Sequence, residues 1–261
     1  MPASGTSLAS LSCLLDSASL QHLLGAFYRT PRAGGLDRLA GGGGPLGFDI
    51  TTACQVHHLM TAYGCDGIVE SGCHLGDTTE YFARAYPQLP VRTCDLDPGR
   101  AAFTRARLAT WRNADVRHGD SATLLPALLA GLRRPLLFLD AHWGPRWPLR
   151  AELAAIHEGV AVIDDFDIGH PRFGHDTYDG VACGPQLVAE ELPALERMFV
   201  GHVEADYPLP CLQTGRRSGT GFLALGLDDR PMAAHPWFAE VVLRPHPALP
   251  TWTTAAAEVG S

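Results

Sequence analysis

The 261-residue chain has no lysine; all 20 of its basic residues are arginine. A common catalytic base is therefore missing. There is also no C-x-x-C pair, and the seven cysteines (13, 54, 65, 73, 94, 183 and 211) are odd in number and widely spaced. That excludes a disulfide framework and a zinc knuckle, and it points to a reducing compartment. No apolar run reaches the length of a membrane span, and the first residues lack the charged start of a signal peptide. The expectation is a cytoplasmic protein with no membrane partner. A concentrated basic surface is missing too: the net charge is -8 and the arginines are scattered, which argues against a nucleic-acid partner.

What is present is an ordinary globular mix, 46% hydrophobic and 18% charged, enough to fill the core of one α/β domain. Residues 1–45 read as an N-terminal helical extension ending in the Gly-rich stretch "PRAGGLDRLAGGGGPLG", either a linker or a mobile loop over a site. Residues 46–228 form the main domain. "ITTACQVHHLMTAY" (50–63) is an amphipathic helix leading into it.

From Gly67 strands and helices alternate. The strands are "GIVES", "VRTCD", "ADVRHGD", "PLLFLD" and "VAVIDD"; helices are expected over 77–86, 99–111, 122–132, 148–158 and 185–197. Such alternation means right-handed crossovers and a mainly parallel sheet. "MFVGHVEA" and "GTGFLALG" are two strands without a full helix between them, so an antiparallel pair closes the sheet. Residues 229–261 are proline-rich and are expected to wrap the surface as a tail.

Acids cluster at the strand ends: Glu70, Asp95, Asp120, Asp140, then Asp164 with Asp165. In an open parallel sheet those ends line one edge, where ligands bind. One such acid is more often a helix cap; acids at five consecutive strand ends outnumber what capping explains. "ESGCHLGDTT" carries Glu70, Gly72, Gly76 and Thr78, where glycines permit close backbone approach and the following helix offers free N–H groups. It is not G-x-G-x-x-G, so the dinucleotide fingerprint of a dehydrogenase fails. Asp95 in "TCDLDP" can accept both ribose hydroxyls, and Asp120 with Ser121 in "GDSA" can meet the amino edge of an adenine or cap the next helix.

These three elements in this order resemble the class I S-adenosylmethionine-dependent methyltransferases, over about residues 67–226. The resemblance implies a Rossmann-like sheet, mainly parallel with an antiparallel C-terminal strand pair and helices on both faces. It implies S-adenosylmethionine as cofactor, with Glu70 and Gly72 at its methionine end, Asp95 at the ribose, and Asp120 with Ser121 at the adenine. Gly76, Thr78 and Asp140 complete the cofactor-binding set.

Asp140, Asp164 and Asp165 look like the divalent-ion site of the catechol-type and macrolide-sugar O-methyltransferases, which implies Mg²⁺ or another divalent cation and a hydroxyl acceptor on a small molecule. A secondary metabolite, as in antibiotic biosynthesis, fits that class. Those enzymes often carry a lysine or histidine three residues after the first acid; here Trp143 stands there and His142 precedes it. His142 is the candidate base beside Asp140. Trp143, together with His170, His175 and Tyr178 of the loop "FDIGHPRFGHDTYDG", are the substrate-binding candidates. Rival readings are an N- or C-methyltransferase or another S-adenosylmethionine-using enzyme on this fold, and a non-catalytic cofactor-binding protein. A manganese ureohydrolase would need an aspartate where Gly144 stands. A homodimer is left open.

Overall fold

Capping and turn residues set the limits of the elements. In a computed structural model, residues 15–33, 43–141, 147–211 and 217–243 are described. Asp16 caps α1 (Ser17–Arg29) by accepting from the Ser19 N–H at 2.8 Å. Asp49 caps α2 (Ile50–Tyr63), which Gly64 ends in the left-handed region. There follow β1 (Gly67–Ser71), α3 (Asp77–Ala85), β2 (Val91–Asp95), α4 (Pro98–Arg107), β3 (Ala114–His118), α5 (Ser121–Leu129), β4 (Pro135–Leu139), α6 (Leu149–Ala155) and β5 (Gly159–Ile163). Then come the two-residue strands β6 (Phe173–Gly174), β7 (Thr177–Tyr178) and β8 (Val181–Ala182), and α7 (Pro185–Glu191). The last elements are β9 (Arg197–Gly201), β10 (Arg217–Ser218), β11 (Gly221–Leu225), α8 (Arg230–Ala233) and β12 (Phe238–Val242). Helix α7 stops well short of the expected residue 197. Pro193 disfavours helical geometry at the residue before it, and Leu192 takes φ -124°, ψ 64°.

Eight strands form the main sheet in the order β12-β9-β11-β5-β4-β1-β2-β3. Strands β1 to β5 run parallel, with Ile68 opposite both Val91 and Leu136. β11 runs antiparallel to β5 and β9, as the strand pair without a crossover helix requires. This is the mainly parallel sheet with an antiparallel ending that the motif order implies.

Strand alternation divides the core into two layers. Ile68, Val91, Leu136, Phe138 and Val162 face α1, α2 and α3. Val69, Cys94, Leu137, Leu139 and Ile163 face α5, α6 and α7. Helix α1 belongs to the first layer through Leu23 and Phe27, both 1% exposed.

The C-terminal segment corrects the expected surface wrap, because its described part supplies an edge strand. β12 pairs antiparallel with β9, and Trp237 is fully buried with its indole N–H donating to the Asp206 carbonyl at 2.9 Å. Among the described residues, no helix is long and apolar enough to cross a membrane.

Candidate active site

β1 lies between β2 and β4, so the chain order reverses at its edge. In open α/β sheets the crevice at such a reversal, beyond the strands' C-terminal ends, is where ligands bind. Gly72 opens this crevice with φ +82°, and a Cβ there would stand 2.7 Å from the Asp140 carbonyl oxygen. The N–H groups of Gly72 and Cys73 both donate to the Cys94 carbonyl, which holds the turn against β2. Gly76 has φ +78°, and a Cβ there would meet Thr104 at 2.8 Å. Helix α3 begins at this glycine without a side-chain cap.

The expected cofactor residues surround this crevice. Glu70 is 1% exposed and accepts from the Thr79 hydroxyl; burial pushes its carboxyl up to about 7, against that hydrogen bond. Asp95 is buried and accepts from the His74 N–H at 2.8 Å and the Asp97 N–H at 2.9 Å. A carboxylate offers roughly four lone-pair sites, so two remain for ribose hydroxyls. Asp120 does cap α5, accepting from the Ala122 N–H at 3.0 Å, and Ser121 is buried beside it. Thr78 is engaged differently, since its hydroxyl accepts from the Leu46 N–H at 3.0 Å.

Two further features have no local signature. Asp77 binds both stems of the Gly-rich segment, accepting from the Ala33 N–H at 2.8 Å and the Gly44 N–H at 2.6 Å. Arg107 bridges Asp77 and Glu80 from α4. The segment's interior, 34–42, lies outside the described residues. Glu152 of α6 is fully buried among Ser71, Ser121 and Asp120, and neither carboxyl oxygen meets a hydrogen-bond partner. Burial pushes it up to about 7.

On the β4–β5 side the carboxylates gather. Asp164 donates its backbone N–H to the Leu139 carbonyl, which sets it beside Asp140. Burial and repulsion from Asp164, Asp165, Glu70 and Asp176 hold the Asp140 carboxyl well above the usual carboxylate range. Burial and Asp165 push Asp164 up to about 8. Among the described residues no three such side chains are placed as they stand to hold an ion. Asp165 sits at φ +48°, and its carboxylate accepts from the Ser218 hydroxyl, which links it to β10. The donor set itself, hard carboxylate oxygens that repel one another, suits a hard divalent cation. His142 and Trp143 lie outside the described residues.

A cavity of about 440 Å³ opens on the same side, between the start of α2, the β6–β10 pair and residues 201–211. The loop after β5 contributes Ile168, Arg172 and Phe173 to it, not His170, His175 or Tyr178. His170 packs on Phe173 with ring centres 5.5 Å apart, and its Nδ1 accepts from the Arg172 N–H. His175 stands 3.7 Å from Asp167, and Tyr178 lies against Trp147 with ring centres 5.8 Å apart. Asp49, Gln55 and Tyr207 line the cavity from distant parts of the chain, so no sequence spacing announces them.

No protein-family model matches the chain, and no curated protein matches it. Among solved structures it is similar to TomG, the O-methyltransferase of Streptomyces achromogenes involved in tomaymycin synthesis, in complex with S-adenosylmethionine. That match has a TM-score of 0.47 and 20% identity over 84% of this chain and 95% of that one. An O-methyltransferase from Bacillus cereus, in complex with S-adenosylhomocysteine, matches with a TM-score of 0.43 and 16% identity over 83% and 96%. The methyltransferase domain of bacterial CtHen1 matches with a TM-score of 0.47 and 12% identity over 67% and 98%. At these scores the functional reading rests on the site itself.

Proposed function

We propose that the chain is an S-adenosylmethionine-dependent methyltransferase that acts on a hydroxyl of a small molecule and uses Mg²⁺ or another divalent cation. One observation carries the reading. The crevice at the β1 reversal has a glycine floor at Gly72 and is flanked by Asp95 and Asp120 at successive strand ends, with Asp140 and Asp164 across the split. An arrangement with polar groups for a nucleoside on one side and acids on the other suits a ligand that spans both.

The residues fit the cofactor in this way. The Gly72–Gly76 turn and Glu70 would hold its methionine end, Asp95 the ribose, and Asp120 with Ser121 the adenine. When bound, it supplies a methyl group on a positively charged sulfur. The chain's own contribution is then orientation, because an in-line displacement depends on alignment of the reacting atoms. The Cys94 carbonyl and the Thr104 side chain fix the glycine turn, and Asp95 clamps it through the His74 N–H.

Asp140, Asp164 and Asp165 are the residues that would hold the cation, which supplies Lewis acidity toward an acceptor hydroxyl. Support comes from their chemistry: they are mutually repelling carboxylates, and Asp165 is hydrogen-bonded to Ser218 in the wall of an open cavity.

The test is calorimetric titration of S-adenosylmethionine into the full chain, with Mg²⁺ and again with EDTA. Binding in both conditions is expected, weakened about tenfold or more by Asp95→Ala. Binding to neither form would end the methyltransferase reading. Formation of S-adenosylhomocysteine with a panel of hydroxylated acceptors then identifies the reaction.

A further inference from the structure

We propose that the cavity beside Asp165 takes a small molecule bearing a carboxylate or phosphate group, held by Arg217, with its neutral end turned toward the acid cluster. The inference rests on the methyltransferase reading for what happens to that neutral end. The anion preference rests on the cavity alone.

A volume of about 440 Å³ is within the usual range for small-molecule sites. One end of the cavity adjoins the acids. Ser218 lines it and donates to the Asp165 carboxylate. The walls include Ile168, Phe173 and Tyr207. Tyr207 is held rigidly, accepting from Gln55 Nε2 at 2.9 Å and stacking on Trp237 with ring centres 5.3 Å apart. A flat or partly apolar body fits such walls.

The charges in the cavity are unequally occupied. Asp49 is engaged at the start of α2, accepting from both the Thr51 N–H and hydroxyl, and Asp206 is exposed at the rim. Arg172 is exposed and faces Glu204 at 3.4 Å. Arg217 differs. It is half-buried in the cavity lining, and no described residue supplies it with a side-chain hydrogen bond or ion pair. Elsewhere arginines are engaged: Arg107 with Asp77 and Glu80, Arg150 with Glu190 and Glu191, Arg197 with Asp229 and Glu240.

A partly desolvated guanidinium matches carboxylate and phosphate oxygens in a two-pronged geometry, which is its strongest kind of hydrogen bonding. The cavity therefore has an acid at one end and, in its lining, a cation that no described residue pairs. An anionic group is drawn to Arg217 and repelled from Asp165, which turns the neutral end of the molecule toward Ser218 and the carboxylate behind it.

Three probes distinguish the chemistry: benzoate, phenyl phosphate and benzamide, titrated into the full chain saturated with S-adenosylhomocysteine. The arginine Nε–H resonances are followed by NMR, with the Arg217 signal assigned by its loss in Arg217→Gln. Benzoate or phenyl phosphate is expected to shift that signal and to bind about tenfold or more tighter than benzamide. The stronger of the two anions names the group. Arg217→Gln should abolish the preference while leaving benzamide affinity unchanged, and Arg217→Lys should retain part of it.

Equal affinity for benzamide, an anion preference that survives Arg217→Gln, or no binding by any probe would each overturn the proposal. Should Arg217→Gln fail to fold, Arg217→Lys assigns the signal, and the wild-type shift still decides. If S-adenosylhomocysteine does not bind but benzoate still moves the Arg217 signal, the methyltransferase reading fails and the anion site stands.

Discussion

Gly72 is the residue where backbone geometry and site chemistry meet. At φ +82° an alanine costs about 1–3 kcal/mol in backbone strain, and its Cβ would also press on the Asp140 carbonyl at 2.7 Å. Gly72→Ala should lower the denaturation midpoint and weaken S-adenosylmethionine binding together, as urea unfolding and calorimetry would show. Loss of neither would mean that the turn relaxes freely.

Glu152 makes a second residue-scale prediction. Its folded pKa, about 7, lies above its ordinary value of 4.5, so the native state binds more protons between those limits. The associated stability is fully present below pH 4.5 and is lost as pH rises through 7, about 3 kcal/mol in all. Glu152→Gln keeps the shape without the charge and should be more stable than the wild type at pH 8 and not at pH 4. Urea unfolding at both pH values measures this; parallel pH profiles would mean that the carboxyl is solvated.

At the scale of elements, two contacts join distant segments. Asp77 joins α3 to both stems of the Gly-rich segment, and charge-assisted bonds of this kind contribute about 1.5–3 kcal/mol each. Asp77→Ala should speed amide hydrogen exchange at Ala33 and Gly44 well beyond that at β4. Unchanged protection there would show that other contacts hold the stems.

The C-terminal edge depends on a histidine pair, His58 of α2 and His235 after α8, with ring centres 3.9 Å apart. Burial and the neighbouring His58 push His235 down to about 4, and burial lowers His58 too. The unfolded chain therefore binds more protons than the native one below pH 6.5, and this stabilisation is present above 6.5 and lost as pH falls toward 4. His235→Phe should narrow the difference in Tm between pH 7 and pH 5 relative to the wild type. An unchanged difference would place the acid sensitivity elsewhere.

For the whole molecule, the net charge of -8 is not evenly distributed in its effect, since Asp140, Asp164, Asp165 and Asp176 repel one another at one edge of the sheet. A cation that binds the folded form alone stabilises it by mass action, about 2.7 kcal/mol at a hundredfold excess over its Kd. Mg²⁺ should therefore raise Tm in the wild type and not in Asp140→Asn. A similar rise in both would remove Asp140 from the cation site.

The sequence by itself determined the order of elements, because apolar runs that alternate with amphipathic stretches bury their side chains in only a few ways. "GIVES" and "VRTCD" coincide with β1 and β2, and 50–63 with α2. It also determined the acids at the strand ends, since chain order and a parallel sheet bring them to one edge. Tertiary structure decided the rest. It brought Trp237 into the core and β12 to the sheet edge where proline content suggested a tail, turned Asp165 to Ser218, and assigned Thr78 to Leu46. It also drew Gln55, Tyr207 and Arg217 around one cavity. These residues lie far apart in the chain, and local periodicity carries no information about which distant groups will meet.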